Sequence, residues 1–409
     1  MVNSAESNAL VRLAVIGCGA RSDLARQAAA SGLGEIVALI DPDPVAIQRG
    51  RARFGEELPA FASAAEMLAD DILIDAAFVL TPDHTHAEIA IELLAAGLAV
   101  FLEKPLATTT SDADAVLQAA ITAEAKLYVG HNMRHMAVVR TMRDIIARGE
   151  IGEVKAVWCR HFVGNGGDYY FKDWHAERAS SNGLLLQKGA HDIDIIHWLA
   201  GGYTKRVVGM GGDTLYGALT DRRDNSDRTM SDWFSLDNWP PTEQRELNPV
   251  IDVEDLSMVL MRLDNGVYAS YEQCHYTPDY WRNYTVIGTK GRLENFGDTD
   301  GGVVRVWNER RIYRPEGDLE FPINGDEFGH DDADLRTVTE FLRFVIDDTP
   351  TETSPIAGRN AVATAVAATD SLRNSSVPRE IPSLAEETIA YFDGAGSPST
   401  EAHTSMDGW

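Results

Sequence analysis

A lysine stands directly after one of the buried strands that the sequence predicts. Leu98 to Leu102 has an apolar strand pattern, and Glu103-Lys104-Pro105 follows it. Lysine is scarce here, with 7 lysines among 36 basic residues, and open α/β sheets bind ligands at the carboxyl ends of their strands. A lysine at such a place can have a lowered pKa and act as a base, or it can polarise an oxygen atom. A surface lysine paired with Glu103 is the structural alternative.

A second candidate group lies on a long amphipathic segment, Leu184 to Leu199, which predicts one helix. Lys188, His191 and Ile195 fall at i, i+3 and i+7 and therefore share a helical face. His191 is a candidate acid–base group because histidine titrates near neutral pH. The alternative is a core histidine beside a solvated Asp192.

A glycine-rich loop, Gly17 to Ser22, separates the predicted strand Val11 to Ile16 from the predicted helix Asp23 to Ala30. A dinucleotide-binding loop needs a tight turn, which Gly17 allows, and close approach of the pyrophosphate, which Gly19 allows. The amides at the start of the following helix then face the phosphates. The alternative is that these glycines only turn the chain.

An acid at the end of the next strand strengthens this interpretation. Asp41 lies 22 residues beyond Gly19, where a carboxylate accepts the ribose hydroxyls and repels a 2′-phosphate. The pattern therefore favours NAD over NADP. We expect Ala20 to line the cofactor loop and Arg21 to contact a phosphate of either cofactor, and we expect Cys18 to be a packing residue.

Alternating strand and helix patterns over residues 1–130 predict a doubly wound parallel sheet covered by helices on both faces. Its predicted strands are Val11 to Ile16, Ile36 to Ile40, Ile74 to Leu80, Leu98 to Leu102 and Leu127 to Gly130. The overall class is α/β.

Residues 131–395 predict an α+β domain with a large, mostly antiparallel open sheet. Asp264-Asn265-Gly266 between two strand patterns predicts a hairpin. Gly164 to Trp174 predicts a loop, and the polar stretch Asp213 to Glu254 predicts an excursion from the sheet. Residues 396–409 predict a disordered tail.

The net charge of −27 excludes some kinds of partner. Such a surface repels phosphate backbones, so we expect no nucleic-acid binding, and we expect an uncharged substrate for the same reason. The apolar runs are too short for a membrane span, so no membrane contact is expected. Three scattered cysteines indicate neither disulfides nor zinc, and a cytoplasmic location without a metal site is predicted.

Taken together, these motifs resemble the Gfo/Idh/MocA family of sugar and polyol oxidoreductases. The likeness spans about residues 10–380 and is carried by the Gly17 loop, Thr81-Pro82 with His86, Glu103-Lys104-Pro105, Gly149-Glu150-Ile151-Gly152, Gly189-Ala190-His191-Asp192-Ile193-Asp194 and Trp198-Leu199-Ala200-Gly201.

The resemblance implies a Rossmann domain that binds a nicotinamide cofactor over the cleft between two domains. It implies that Thr81, Pro82, His86, Glu103 and Lys104 contribute to the cofactor site. It also implies a cis peptide bond before the proline that follows Lys104, and a homodimer or homotetramer formed through the open sheet.

The implied reaction is oxidation of a ring hydroxyl of a sugar, glycoside or cyclic polyol. Lys104 would polarise the oxygen and His191 would take the proton, with Lys188 facing the substrate. Many relatives have an aspartate that assists the histidine, but this chain has Gln187 there. Glutamine cannot take a proton, so that His–Asp dyad is absent.

Further substrate contacts are expected from the segments after the last Rossmann strand, from the aromatic loop and from the histidine helix. The expected substrate-binding residues are Asn132, Arg134, Tyr169, Trp174, Lys188, His191 and Asp192. A structural role is the alternative for the first four.

Two other functions stay open at this point. Transient ring oxidation could acidify a neighbouring C–H and let a glycosidic bond eliminate, as in NAD-dependent glycosidases of the family. A nucleotide-sensing regulatory subunit is the non-enzymatic alternative, although the presence of both Lys104 and His191 argues against it.

Overall fold

The computed structural model describes residues 10–325 and 331–394. The predicted tail, residues 396–409, lies outside the described residues.

A six-stranded parallel sheet forms the first layer of the structure. Its strands run in the order β3-β2-β1-β4-β5-β6, so the predicted doubly wound parallel sheet is confirmed, with the short β3 in addition to the five predicted strands. They are β1 (Val11–Ile16), β2 (Gly34–Ile40), β3 (Ala60–Phe61), β4 (Ala76–Val79), β5 (Ala99–Leu102) and β6 (Leu127–Val129). The associated helices are α1 (Arg26–Ser31), α2 (Pro44–Phe54), α3 (Ala64–Leu68), α4 (His86–Ala95) and α5 (Thr110–Ala123).

A nine-stranded sheet forms the second layer, in the order β14-β13-β12-β11-β7-β10-β9-β8-β15. Within residues 10–325 and 331–394, β7 and β10 are the one parallel pair of this sheet, so the predicted mostly antiparallel sheet is confirmed. The strands are β7 (Val154–Val163), β8 (Thr204–Gly212), β9 (Leu256–Leu263), β10 (Tyr268–Cys274), β11 (Tyr280–Gly288), β12 (Arg292–Phe296), β13 (Val303–Trp307), β14 (Leu319–Pro322) and β15 (Arg379–Glu380). The predicted hairpin joins β9 to β10.

The later helices are distributed over both layers: α6 (Ala137–Ala147), α7 (Gly166–Tyr170), α8 (Arg178–Ser181), α9 (Leu184–Gln187), α10 (Gly189–Ala200), α11 (Asp331–Asp347), α12 (Pro355–Arg373) and α13 (Glu386–Gly394). Helix α11 returns to the parallel sheet, where Phe341 packs against Phe78, Phe101 and Tyr128. The domain boundary at residue 130 stays a prediction. Helix α11 belongs to the second predicted domain but packs on the sheet of the first. Among the described residues, no helix is both long enough and apolar enough to span a membrane.

Two local predictions were wrong. The helix predicted over 184–199 is interrupted at Lys188, so that α10 begins afresh at Gly189. Gly189 lies against β10, where a Cβ would come within 2.8 Å of the Tyr271 ring. The loop predicted over 164–174 contains α7, because the carbonyl oxygen of Asn165 accepts hydrogen bonds from the two amides that close its first turn.

Helices α10 and α12 cover one face of the nine-stranded sheet, and the other face carries no helix among the described residues. Burial alternates along β9, as expected for a strand with one covered face. The open face exposes large apolar side chains, namely Trp158, Met210, Met258, Leu260 and Tyr268. The predicted excursion, residues 213–254, is built of turns and short 3-10 helices beside α7.

Candidate active site

The glycine loop has the backbone geometry that its sequence predicts. Gly17 has φ +91°, and a Cβ there would lie 2.7 Å from the carbonyl oxygen of Leu80, so only glycine fits. A Cβ at Gly19 would meet nothing within 4 Å. The loop is therefore tight against the sheet at Gly17 and open to a ligand at Gly19.

Asp41 ends β2 beside this loop. Its carboxylate accepts hydrogen bonds from the amides of Cys18 and Asp43, each at 2.9 Å. These bonds fix the carboxylate next to the glycine loop. Burial raises the pKa of Cys18 to about 11, which suits the predicted packing role of this residue.

Arg21 joins three elements of the structure. Its guanidinium donates to Glu103 and, at 2.7 Å, to Asp334 on α11. Burial opposes its charge, but the two carboxylates outweigh that effect and raise the pKa of Arg21. Asp334 also accepts from Asn132 at 2.8 Å. The predicted phosphate contact of Arg21 has a competitor here, because two carboxylates of the protein already hold the side chain.

His86 has a task that differs from its predicted one. Its ring is 1% exposed and lies between two carbonyl oxygens, those of Pro105 at 2.7 Å and Thr81 at 2.9 Å. It therefore ties the loop after β4 to the loop after β5 instead of facing the cleft. The peptide bond between Lys104 and Pro105 is cis, as the family resemblance implied.

A cavity of about 380 Å³ opens where the glycine loop, the end of β5 and helix α10 meet. It brings together six residues predicted from the sequence, namely Ala20, Arg21, Glu103, Lys104, Asn132 and His191. Asp23, Leu24, Gln27 and Asp334 complete its wall. Some of the candidate cofactor residues thus share one space with the candidate catalytic residues Lys104 and His191.

The Lys104 side chain is held at this cavity by a hydrogen bond from its Nζ to the carbonyl oxygen of Gln187, at 2.9 Å. Burial lowers the pKa of Lys104, and the nearby charges of Lys188 and Arg21 act in the same direction. Asp83 and Glu103 oppose the shift without cancelling it. Lys104 is therefore a hydrogen-bond donor that can lose its proton more readily than a surface lysine.

His191 is 7% exposed, and its Nδ1 has no hydrogen-bond partner within residues 10–325 and 331–394. Burial, followed by the charges of Lys104 and Lys188, lowers its pKa well below the ordinary value. The ring is therefore neutral at physiological pH and can accept a proton. Gln187 stands where many relatives have an aspartate, so no carboxylate at that position raises the pKa of His191.

Asp192 and Asp194 lie on α10 next to His191, but neither lines the cavity. Asp192 is fully buried, accepts hydrogen bonds from the hydroxyls of Tyr271 and Tyr284 and from the ring of His161, and forms an ion pair with Arg282. A substrate cannot replace so complete a set of partners, so the predicted substrate contact of Asp192 is withdrawn.

Arg134 is likewise held by partners within the protein, so its predicted substrate contact is also withdrawn. Its guanidinium donates to both carboxylate oxygens of Asp194, at 2.8 and 2.6 Å, and to the backbone of Glu352. The side chain is also packed on the Trp198 ring and is almost fully buried. Arg134 therefore joins α10 to its neighbours.

Lys188 and the aromatic loop lie beside the cavity. The ammonium of Lys188 donates to the hydroxyl of Tyr280 at 2.8 Å and contacts the Tyr170 ring. Tyr169 is 37% exposed and packs edge-on against Phe234 from the excursion, while Trp174 stacks on His175. Lys188, Tyr169 and Trp174 therefore remain candidates for substrate contact.

Sequence reasoning missed several residues of this region. The sequence analysis did not single out Asp334 as a residue of the cavity, or Tyr170, Tyr280, Arg282 and His161 as residues around the histidine helix. Their positions depend on pairing between β7, β10 and β11, which no local pattern reports.

The chain belongs to the GFO/IDH/MocA oxidoreductase family. Residues 11–131 match the family's "NAD-binding Rossmann fold" model, and residues 139–294 match the "GFO/IDH/MocA C-terminal domain". Its N-terminal layer is therefore an NAD-binding Rossmann domain.

Several relatives are similar in sequence to parts of the chain. YteT of Bacillus subtilis (strain 168) is 27% identical over 64% of this chain and 70% of its own length. A 1,5-anhydro-D-fructose reductase of Ensifer adhaerens is 32% identical over 41% of this chain and 49% of its own length. An inositol 2-dehydrogenase of Ralstonia nicotianae is 28% identical over 47% and 55%. The chain thus spans only about half the length of the last two.

Solved structures share the fold over nearly the whole chain. A levoglucosan dehydrogenase in complex with NADH and levoglucosan superposes with a TM-score of 0.71 at 20% identity, over 92% of this chain and 100% of that one. GenD2 of gentamicin A biosynthesis, in complex with NAD, gives 0.70 at 21% identity, over 94% and 100%.

Proposed function

We propose that this chain is an NAD-dependent dehydrogenase that oxidises a ring hydroxyl of a sugar, glycoside or cyclic polyol. One observation carries the proposal: Lys104 and His191 line the same cavity as the cofactor-loop residues Ala20 and Arg21. The names of the relatives, which include inositol 2-dehydrogenases and a levoglucosan dehydrogenase, support this substrate class.

The residues present fit a dinucleotide. The open backbone at Gly19 would admit the pyrophosphate, and the carboxylate of Asp41 would accept the hydroxyls of the adenosine ribose. Thr81, Pro82 and Glu103 would lie along the nicotinamide half. Because a carboxylate repels a 2′-phosphate, we propose NAD and not NADP as the cofactor.

Lys104 and His191 would have different roles at the substrate hydroxyl, one as a hydrogen-bond donor and the other as a proton acceptor. Lys104 would donate a hydrogen bond to the hydroxyl oxygen and stabilise negative charge there, an effect that is large in a buried site. The neutral ring of His191 would take the hydroxyl proton. When bound, the nicotinamide supplies the acceptor for the carbinol hydrogen and its electron pair.

The open face of the nine-stranded sheet supports a homodimer or homotetramer. Leu260 is 65% exposed and Tyr268 is 61% exposed, and they lie on adjacent strands. An apolar face of this kind is typical of a protein interface. The three free cysteines are compatible with action in the reducing cytoplasm, which we also propose.

The test is NADH formation by the purified chain across a panel of sugars, polyols and glycosides. We expect absorbance of NADH to rise with at least one compound and to stay flat with the Lys104→Ala variant. The absence of any NADH, together with release of an aglycone, would establish the redox-neutral glycosidase instead. Cofactor binding without turnover of any compound would favour the regulatory alternative.

A further inference from the structure

Lys188 is a buried cation without an anionic partner. Its side chain is 8% exposed, and no carboxylate oxygen of residues 10–325 or 331–394 lies within 4.0 Å of its Nζ. Lys172 shows the usual arrangement, because its Nζ lies 3.0 Å from the equally buried carboxylate of Asp168. Burying a charge without a counter-ion is costly. Unlike Lys172, Lys188 therefore has no carboxylate partner among the described residues.

The contacts that Lys188 does make leave its charge unbalanced. The hydroxyl of Tyr280 accepts one hydrogen bond, and the rings of Tyr170 and Tyr280 lie 5.8 and 5.4 Å from the ammonium. Such ring contacts favour the charged form, although less than a carboxylate would. Tyr280 is 40% exposed, so the hydroxyl partner of Lys188 belongs to a residue that reaches the surface.

Two buried imidazoles beside Lys188 have unused hydrogen-bonding capacity. The Nδ1 of His161 lies 2.9 Å from the carboxylate of Asp192, and since a carboxylate only accepts, the proton of this neutral ring lies on Nδ1. Its Nε2 is then an acceptor, and it has no partner in the described part of the chain. His275 is fully buried, and both of its ring nitrogens lack a partner among the same residues.

We propose that Lys188, His161 and His275 form a subsite for a carboxylate-bearing substituent of the substrate, so that the preferred substrate is an acidic sugar such as a uronic acid. Lys188 binds the carboxylate, and the two imidazoles bind hydroxyl groups next to it. The inference rests on the proposed function, whose reaction centre adjoins the subsite: Lys104 donates to the carbonyl oxygen of Gln187, the residue before Lys188.

One ammonium and two neutral rings match the single charge of a carboxylate. A phosphate group carries up to two charges and would leave part of them unbalanced. The negative surface of the protein does not forbid an acidic substrate, because repulsion between exposed charges is screened within about 8 Å at physiological salt. The expectation of an uncharged substrate, which rested on net charge, is therefore replaced.

The test compares binding of a uronic acid with its uncharged uronamide and with the parent hexose phosphate, in the gluco, galacto and manno series. Calorimetry on the NAD-loaded protein measures affinity without requiring turnover. We expect one uronic acid to bind about 10- to 100-fold more tightly than its amide, the range for a hydrogen bond to a charged group. Lys188→Met should abolish that ratio, whereas Lys205→Met, at an exposed lysine, should preserve it.

The stability of the same variants provides a second reading. Without ligand, the Lys188→Met variant should fold. Its unfolding temperature should equal or exceed that of the unchanged protein, because an apolar side chain replaces an unpaired buried charge. Lys188→Gln serves as a second variant for affinity and should also lose the preference for the acid.

Equal affinity for acid and amide, a preference that survives in Lys188→Met, or tighter binding of the sugar phosphate would each overturn the subsite. NADH formation from neutral sugars without any preference for acids would overturn the subsite and leave the proposed function standing. Selective binding of an acid that is lost in Lys188→Met, without NADH formation from any compound, would uphold the subsite and remove the proposed function.

Discussion

Helix α10 carries two kinds of buried polar residue. The carboxylates of Asp192 and Asp194 lie outside the cavity lining, are held by Arg282 and Arg134 and are fully buried. His191 instead faces the cavity with Lys104, and its Nδ1 has no partner in the described ranges.

The difference separates residues that hold the fold together from residues that wait for a ligand. A buried charge with a full set of hydrogen bonds has nothing to offer a substrate, and removing its partner destabilises the protein. A buried polar group without partners is costly in the free protein and gains a partner when the ligand binds. The predictions below test this division, from the largest expected effect to the smallest.

Replacing Lys104 by alanine should have the largest effect. The variant loses the hydrogen-bond donor at the substrate oxygen, and we expect kcat/KM to fall about 10³-fold. Steady-state kinetics by NADH absorbance measures this, with Lys155→Ala at an exposed lysine as the matched control. NAD affinity should change little in both variants. A fall of less than tenfold would remove Lys104 from the reaction.

Replacing Asp192 by asparagine should mainly affect stability. The change leaves Arg282 buried without its nearest carboxylate, and we expect the free energy of unfolding to fall by about 3 kcal/mol. Chemical denaturation measures the loss, and Asp71→Asn at an exposed position is the control. An unchanged unfolding midpoint would show that the pairing of Asp192 with Arg282 does not stabilise the fold.

Replacing Asp41 by serine should shift the choice of cofactor. The variant no longer repels a 2′-phosphate and loses an acceptor for the ribose hydroxyls, so the NADP-to-NAD ratio of kcat/KM should rise about tenfold. Kinetics with both cofactors at a saturating sugar concentration measures the ratio. A ratio that does not move would mean that another residue makes this choice.

The pH dependence of stability should report His197, a buried residue of α10 that lies outside the cavity lining. Burial lowers its pKa to about 4, so the unfolded chain binds more protons than the folded one between about pH 6.5 and pH 4. Its contribution to stability is therefore lost as the pH falls through this range.

His197→Gln should reduce the slope of unfolding free energy against pH, by up to about 1.4 kcal/mol per pH unit. Denaturation of both proteins at several pH values measures the slopes, and their difference isolates His197 from other buried histidines. Parallel slopes would show that this ring is protonated in the folded protein as well.

Much of the cofactor side could be predicted because its signals are local. Gly17, Gly19 and Asp41 owe their positions to one strand, one tight turn and the next strand, and each of these has its own sequence pattern. Lys104 could be placed in the same way, since the end of a parallel strand is predictable once the strand is recognised.

The substrate side could be predicted only in part, because its decisive contacts are made between residues far apart in the chain. Arg134 resembles a ligand contact until Asp194 is seen to hold it, and Asp192 looks solvated until Arg282 and Tyr284 are placed around it. The break at Lys188 depends on how closely α10 lies against β10, which periodicity does not show.

The most direct test of the central claim follows the carbinol hydrogen. The purified chain is incubated with NAD and a turned-over sugar that carries deuterium on the ring carbon to be oxidised, and the products are analysed by mass spectrometry. We predict one deuterium in each NADH formed, together with the matching ketone, and neither product with Lys104→Ala. Product formation with no deuterium in NADH would contradict the account.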